Sequence, residues 1–301
     1  MDHFRVGPLE VSRVEEMRTT FDAGMFYPDL PRDTPAQYAS WLAQYFHIEQ
    51  HSFPCVFQSW VVHHGDTTIL IDTCIGNDKE RPDFELAHRL KNPYLDRLRA
   101  VNCRPEDVDI VLCTHFHVDH VGWNTKLDNG RWVPTFPKAR YIFSREEYAR
   151  FAPENRTAEP PPFLNIFEDS VLPVIQSRQA EFISGEQQVH DLLTVFPAPG
   201  HTPGHVAIRA KNGDDTAIFF GDVIHNPIQM ALPDLNSSFC EDGPTARASR
   251  RKILDEAAEH NQLLVPGHFC APYIGRVTPV GKAFVFHGGV EKQRKAMESG
   301  L

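Results

Sequence analysis

The sequence predicts an α/β protein whose sheets are covered by helices, and three observations carry that expectation. Apolar runs short enough to be buried strands alternate with helix-length segments. Two β-rich runs flank a tight-turn composition, and four of the apolar runs end at once in Gly, His or Asp. In layered α/β folds the carboxyl edge of the strands is where ligands and catalytic groups collect, because the loops there vary while the strands hold them rigidly.

Taken in order, residues 1–55 combine a short apolar strand, a loop punctuated by Pro28, Pro31 and Pro35, and a helix expected over 38–50. This reads as an arm packed on a main domain of residues 56–301. The runs 56–63 and 67–73, separated by His64-Gly65-Asp66, form a hairpin. A helix is expected over 84–100, a strand over 108–114 and a helix over 145–151. Pro160-Pro161-Pro162 reads as a loop or lid. A helix over 246–260 has a basic first half and an acidic, Ala-rich second half, and Arg247, Arg250, Arg251 and Lys252 read as its solvated face. The apolar run 262–265 follows at once. No internal repeat or second domain boundary stands out.

With 301 residues and 41% hydrophobic content, the chain buries a full core. A formal charge of −10 without a Lys/Arg cluster argues against a nucleic-acid partner. No apolar run reaches the ~18 residues of a membrane span, and Met1-Asp2-His3-Phe4 lacks the pattern of a signal peptide. The expectation is a cytoplasmic protein that does not enter a membrane. Six cysteines without a C-x-x-C pair read as reduced thiols, most of them in the core.

The 16 histidines bunch at strand ends. Run 108–114 precedes His115, run 194–196 precedes Pro199-Gly200-His201, run 217–220 precedes Gly221-Asp222, and run 263–265 precedes Pro266-Gly267-His268. The strongest signal is His115-Phe116-His117-Val118-Asp119-His120. Four ligand-type side chains in six residues are costly to bury as ordinary core, yet in a loop they fan around adjacent cations. Imidazole suits zinc, and a carboxylate serves a harder or second site.

His115-x-His117-x-Asp119-His120, His201 in Pro-Gly-His-Thr-Pro-Gly-His, Asp222 in Gly-Asp and His268 in Pro-Gly-His together resemble the metallo-β-lactamase superfamily. The resemblance runs from about Thr67 to His268. It implies an αβ/βα four-layer sandwich of two mixed β-sheets flanked by helices. It also implies two divalent metal ions, with zinc expected first and manganese, iron or cobalt as alternatives. His115, His117 and His201 bind one ion, Asp119, His120 and His268 the other, and Asp222 bridges them. Two close cations acidify a shared water, and Asp119 is placed to pass a proton to the leaving group. Asp119, Asp222 and His225 are thus the expected catalytic residues, with Asp72 orienting a ligand histidine and His205 set behind the ligands.

Within the superfamily, a Cys in place of Asp222 or a Glu in place of His117 marks another branch, and neither is found here; a long helical region after the last His marks a third, which is not expected with 33 residues following His268. The stretches 120–124 and 221–227 resemble N-acyl homoserine lactonases and, more closely, the methyl-parathion-hydrolase-like group. One departure is His225, where the lactonases generally carry Tyr. The resemblance therefore implies a hydrolase acting on a lactone, with N-acyl homoserine lactones included, or a related small ester. A phosphotriester or aryl-ester hydrolase, an iron-binding redox protein and a binding protein with an idle metal site are the alternatives. Phe26, Phe116, Trp123 and His225 are the candidate substrate contacts, and the Met25-Phe26-Tyr27 patch is expected to cover the pocket or meet a partner in a homodimer.

Overall fold

In the computed structural model of the chain, which describes residues 2–155 and 165–291, two seven-stranded sheets pack face to face. Chain order gives β1 (His3–Val6), β2 (Leu9–Asp22), β3 (Ser52–His64), β4 (Thr67–Ile71), β5 (Ile110–Leu112), a separate two-stranded ribbon of β6 (Thr125–Asp128) and β7 (Arg131–Pro134), β8 (Arg140–Ser144) and β9 (Ala180–Ile183). The first sheet runs β1-β2-β3-β4-β5-β8-β9, antiparallel through β4 and parallel from β4 onward. The second is assembled from β10 (Gln187–His190), β11 (Leu193–Pro197), β12 (Val206–Asn212), β13 (Asp215–Phe219), β14 (Leu263–Val265), β15 (Gly275–Val280) and β16 (Ala283–Gly288), in that order. Only β13 and β14 pair in parallel in this sheet.

Both faces of the central strands are covered, which is why they read as continuous apolar runs. Ile69, Ile71, Ile110 and Leu112 point between the sheets and meet Ile208, Phe219 and Val265, while Leu70 and Val111 point outward. Over the outer faces lie the helix Tyr94–Ala100, through Tyr94 and Leu98, and the helix Gly243–Glu259, through Ile253, Leu254 and Ala257. The result is the helix–sheet–sheet–helix layering that the resemblance implied.

Several local expectations change. The helix expected over 38–50 is a single turn, Ala39–Leu42, after a 3-10 turn at Thr34–Tyr38. Leu42, Tyr45 and Phe46 do bury at helical spacing, but backbone bonds between His47 and Ser52 bend the chain straight into β3. Pro93, which has no N–H to continue a helix, splits the segment expected over 84–100 into Glu85–Ala87 and Tyr94–Ala100. Residues 3–6 and 9–22 are strands of the first sheet, with β2 paired to β3 along their length. Arg250 is not on a solvated face. It shares the buried stripe of Ala246, Ile253, Leu254 and Ala257, and its guanidinium donates to the carbonyls of Val223, Pro233 and Leu235 at 2.7–2.9 Å. Pro160-Pro161-Pro162 lies outside the described residues. Among the described residues no helix is long and apolar enough to cross a membrane.

Lys79 is fully buried, donating to Thr125 Oγ1 at 2.6 Å and to the Asp169 carbonyl at 3.0 Å and lying over the Trp132 ring. Burial lowers its ammonium to about 7, against the pull of the Asp169 carboxylate. The folded protein therefore releases near neutrality a proton that the unfolded chain holds to about 10. Stability from this site rises between about pH 7 and pH 10, by up to about 4 kcal/mol. Lys79→Met should abolish the rise, and urea denaturation of both proteins across that range checks it.

Candidate metal centre

Each ligand-type side chain lies just past the carboxyl end of a strand, and the groups behind it set its orientation. Past β4, Asp72 takes a left-handed backbone (φ 57°), and its carboxylate accepts the Thr114 N–H at 2.8 Å, the Thr114 hydroxyl at 2.9 Å and His120 Nδ1 at 2.8 Å. Because the Thr114 hydroxyl donates to Asp72, its lone pair accepts from His115 Nδ1 at 3.0 Å. One carboxylate thus fixes two imidazoles with their Nε2 atoms facing inward. Past β14, His268 Nδ1 donates to the Val56 carbonyl of β3 at 2.9 Å, and past β13 the Asp222 N–H donates to His205 Nε2 at 3.0 Å. Gly221, just before Asp222, has φ +50°, and a Cβ there would lie 2.7 Å from His205 Nε2 and 2.8 Å from Thr114 Oγ1. No other residue fits that turn.

The seven expected ligands converge as two quartets, His115, His117, His201 and Asp222, and Asp119, His120, Asp222 and His268, with the ligand atoms of each quartet within 4.8 Å of one another. Asp222 is common to both. Its Oδ2 lies 3.2 Å from His201 Nε2 and 3.7 Å from His115 Nε2, and its Oδ1 lies 3.1 Å from His120 Nε2 and 2.9 Å from His268 Nε2. Asp119 Oδ2 is 3.6 Å from His120 Nε2 and 3.5 Å from His268 Nε2.

Divalent cations fit these quartets on three counts. His115 Nε2 is buried without a hydrogen-bond partner among the described residues. His117 Nδ1 and His201 Nε2 stand 2.8 Å apart, and His120 Nε2 and His268 Nε2 stand 3.3 Å apart. Lone pairs so close repel unless a proton or cation lies between them, and two nitrogens on one tetrahedral zinc are separated by roughly 3.3–3.4 Å. The donor set of imidazoles and carboxylates is the one that suits zinc and its neighbours.

Charge divides the centre in two. Burial holds His115 and His201 well below their ordinary pKa and His117 at about 4, so these imidazoles are neutral, with lone pairs free for a cation. Burial acts in the same direction on His120 and His268, but the Asp222 carboxylate overcomes it and, with Asp72 also acting on His120, pushes both well above the usual histidine range. Burial works against the ionised Asp222 as well, yet His120 and His268 hold it far below the usual carboxylate range. A cation entering the second quartet displaces those protons.

The centre opens into a pocket lined by Phe21, Phe26, Phe57, Phe84, Val118 and Phe239, with Cys55, His225, Ser238, Cys240 and Glu241. Phe26 lines this pocket, packed edge-on against His225 at 5.2 Å, whereas Met25 points to solvent. Phe116 and Trp123 are not pocket residues. Phe116 packs on Phe143 and Phe151, and Trp123 stacks on Tyr94 and donates to Glu16 at 2.7 Å, because each turns toward the helical layer from its loop. His225 borders the pocket with Nε2 3.3 Å from Asp222 Oδ2.

Sequence reasoning missed the groups that hold these loops. Gln229 accepts the His225 N–H at 2.7 Å, and Glu16 accepts from Ile75, Gly76 and Trp123 at 2.7–3.2 Å, its carboxyl pushed by burial up to about 6. Glu147 is likewise buried. Isolated acidic residues in ordinary strand and helix sequence carry no signal of burial. Only the topology reveals them.

The pattern that defines the metallo-beta-lactamase superfamily matches residues 54–268. Among curated proteins, the chain is 29% identical over 150 residues to the uncharacterized protein YobT of Bacillus subtilis, covering 48% of this chain and 61% of YobT. It is 27% identical over 186 residues to the N-acyl homoserine lactonase AttM of Rhizobium radiobacter, covering 58% of this chain and 63% of AttM. It thus spans less than two thirds of each of these two relatives. Among solved structures, hydrolase AbOPH of the beta-lactamase superfamily superposes with a TM-score of 0.80 at 21% identity, covering 97% of this chain and 98% of its own. AidC, described as a dizinc quorum-quenching lactonase in complex with a product, superposes at 0.77 and 19% identity with the same coverage. Sheet order, converging quartets and the matched pattern agree, and the chain belongs to the metallo-beta-lactamase superfamily.

Proposed function

We propose that the protein is a metal-dependent hydrolase with two divalent cations, zinc first among them, that opens neutral lactones or related small esters. The observation that carries this reading is the pair of quartets sharing Asp222 at the floor of an aromatic pocket whose described lining residues include no Lys or Arg. His115, His117 and His201 would hold one cation and Asp119, His120 and His268 the other, with Asp222 between them. When bound, such a pair acidifies water and polarises a carbonyl or phosphoryl oxygen.

The chain's own residues supply the rest. Asp119 lines the pocket, where its carboxylate would take the proton given up by the attacking water and pass it to the leaving alkoxide. His225, at the position where the lactonases carry Tyr, offers a ring nitrogen to the substrate's polar end. Phe21, Phe26 and Phe239 exclude water around the apolar end. Away from the metal centre the described lining carries no cationic side chain and includes Glu241, so the pocket disfavours a negative charge at the far end of a substrate. The five phenylalanines among its described lining residues accept an aryl group as readily as an acyl chain, which keeps aryl esters and phosphotriesters as the second reading.

The test is a panel assay of the zinc-loaded enzyme against acyl lactones, aryl esters, phosphotriesters and β-lactams. Neutral lactones or aryl esters should lead, and a lactone carrying a tail carboxylate should lose at least about tenfold in kcat/KM. A β-lactam turning over fastest overturns the assignment. Elemental analysis of the purified protein gives the metal.

A further inference from the structure

We infer that Glu147, a residue outside every metal quartet, is the positioning residue that sets the geometry of the His115–His117–His201 cradle. The inference rests on the dinuclear reading above and adds a residue to it.

Glu147 sits in the first turn of the helix Arg145–Phe151, which follows β8 directly. Ser144, the last residue of that strand, caps the helix by accepting the Glu147 N–H at 3.3 Å. The carboxylate is fully buried and has no Lys or Arg among its hydrogen-bond partners. Instead it collects three donors from two loops. Oε1 accepts the N–H of Phe116 at 2.9 Å, and Oε2 accepts the Thr202 hydroxyl at 2.8 Å and the Gly204 N–H at 3.0 Å. Phe116 lies between the ligands His115 and His117, and Thr202 follows the ligand His201. One side chain therefore ties together the loop from the first sheet and the loop from the second that supply all three imidazoles of this cradle.

The fit on the second loop is close. A Cβ at Gly204 would lie 2.1 Å from the Glu147 nitrogen, so only glycine lets the His201 loop approach the helix this nearly. Among the described residues nothing equivalent runs from Glu147 to the other quartet, where His120 is held by Asp72 and His268 by the Val56 carbonyl. Groups that orient ligands in this way typically contribute 10–100-fold in metal affinity, and here the contribution should fall on one site of the two.

Titration of metal-free protein with zinc against a chromophoric chelator tests the inference. Wild type should take up two zinc ions. Glu147→Gln, which turns an N–H donor toward one of the loop donors, should weaken one site by about 10–100-fold and leave the other within about threefold. Combining it with His268→Ala, which disables the opposite quartet, should leave only the weakened site, assigning the loss to the first cradle. Thr202→Val removes one donor at nearly constant volume, and should shift the same site in the same direction by a smaller factor, even where Glu147→Gln does not fold. Equal weakening of both sites, or unchanged affinities in both variants, overturns the role of Glu147 while leaving the two-metal centre intact. A wild type that takes up no zinc overturns both.

Discussion

Asp222→Asn is expected to lower kcat/KM by at least about 1,000-fold and to reduce bound zinc below two ions per chain. Asp222 is the only residue common to the two quartets, with one carboxylate oxygen facing His115 and His201 and the other facing His120 and His268. An amide of the same shape loses the full negative charge that offsets repulsion between neighbouring cations, and it turns an N–H donor toward one of them. The backbone bond from residue 222 to His205 does not depend on the side chain. The fold should survive, and circular dichroism alongside elemental analysis separates loss of metal from loss of structure. Two tightly held zinc ions in this variant would remove Asp222 from its bridging place.

His115→Ala should have an effect of similar size by a different route, removing metal and activity together. His115 is fully buried, its Nδ1 meets Thr114, and its Nε2 has no hydrogen-bond partner among the described residues. Truncation takes away one donor of the first quartet and leaves a cavity that the rigid Asp72–Thr114 bonds keep from collapsing. We expect at most one zinc ion per chain by elemental analysis and a loss of at least about 1,000-fold in kcat/KM. Full activity in a metal-free preparation of either variant would contradict the proposed chemistry.

The centre was readable from the sequence because its signal is local. His115, His117, Asp119 and His120 fall within six residues, and Gly-Asp222 and Pro-Gly-His268 each close an apolar run. The strands were readable for the same reason, since burial on both faces makes runs such as 69–71 and 110–112 uniformly apolar. What the sequence hid depends on partners distant along the chain. Arg250 looked solvated because a buried arginine satisfied by carbonyls has the same sequence as an exposed one, and the carbonyls of Val223, Pro233 and Leu235 belong to segments on either side of the helical turn Ile228–Ala231. Phe116 and Trp123 neighbour ligands in the chain but turn away from the pocket in space, whereas Phe21, Phe57, Phe84 and Phe239 reach it from remote segments. Proximity along the chain identifies ligands well and substrate walls poorly, because a pocket is assembled from whichever loops the sheets bring to one edge.

The division of the donors between the sheets bears on how the molecule matures. His115, His117, Asp119 and His120 follow β5 of the first sheet, whereas His201, Asp222 and His268 follow β11, β13 and β14 of the second. Neither half owns a complete coordination sphere, so a chain emerging from the ribosome remains inert until its last donor has docked. Loss of the ions would strip those donors of their shared charge without parting the sheets, whose apolar faces pack independently of the centre.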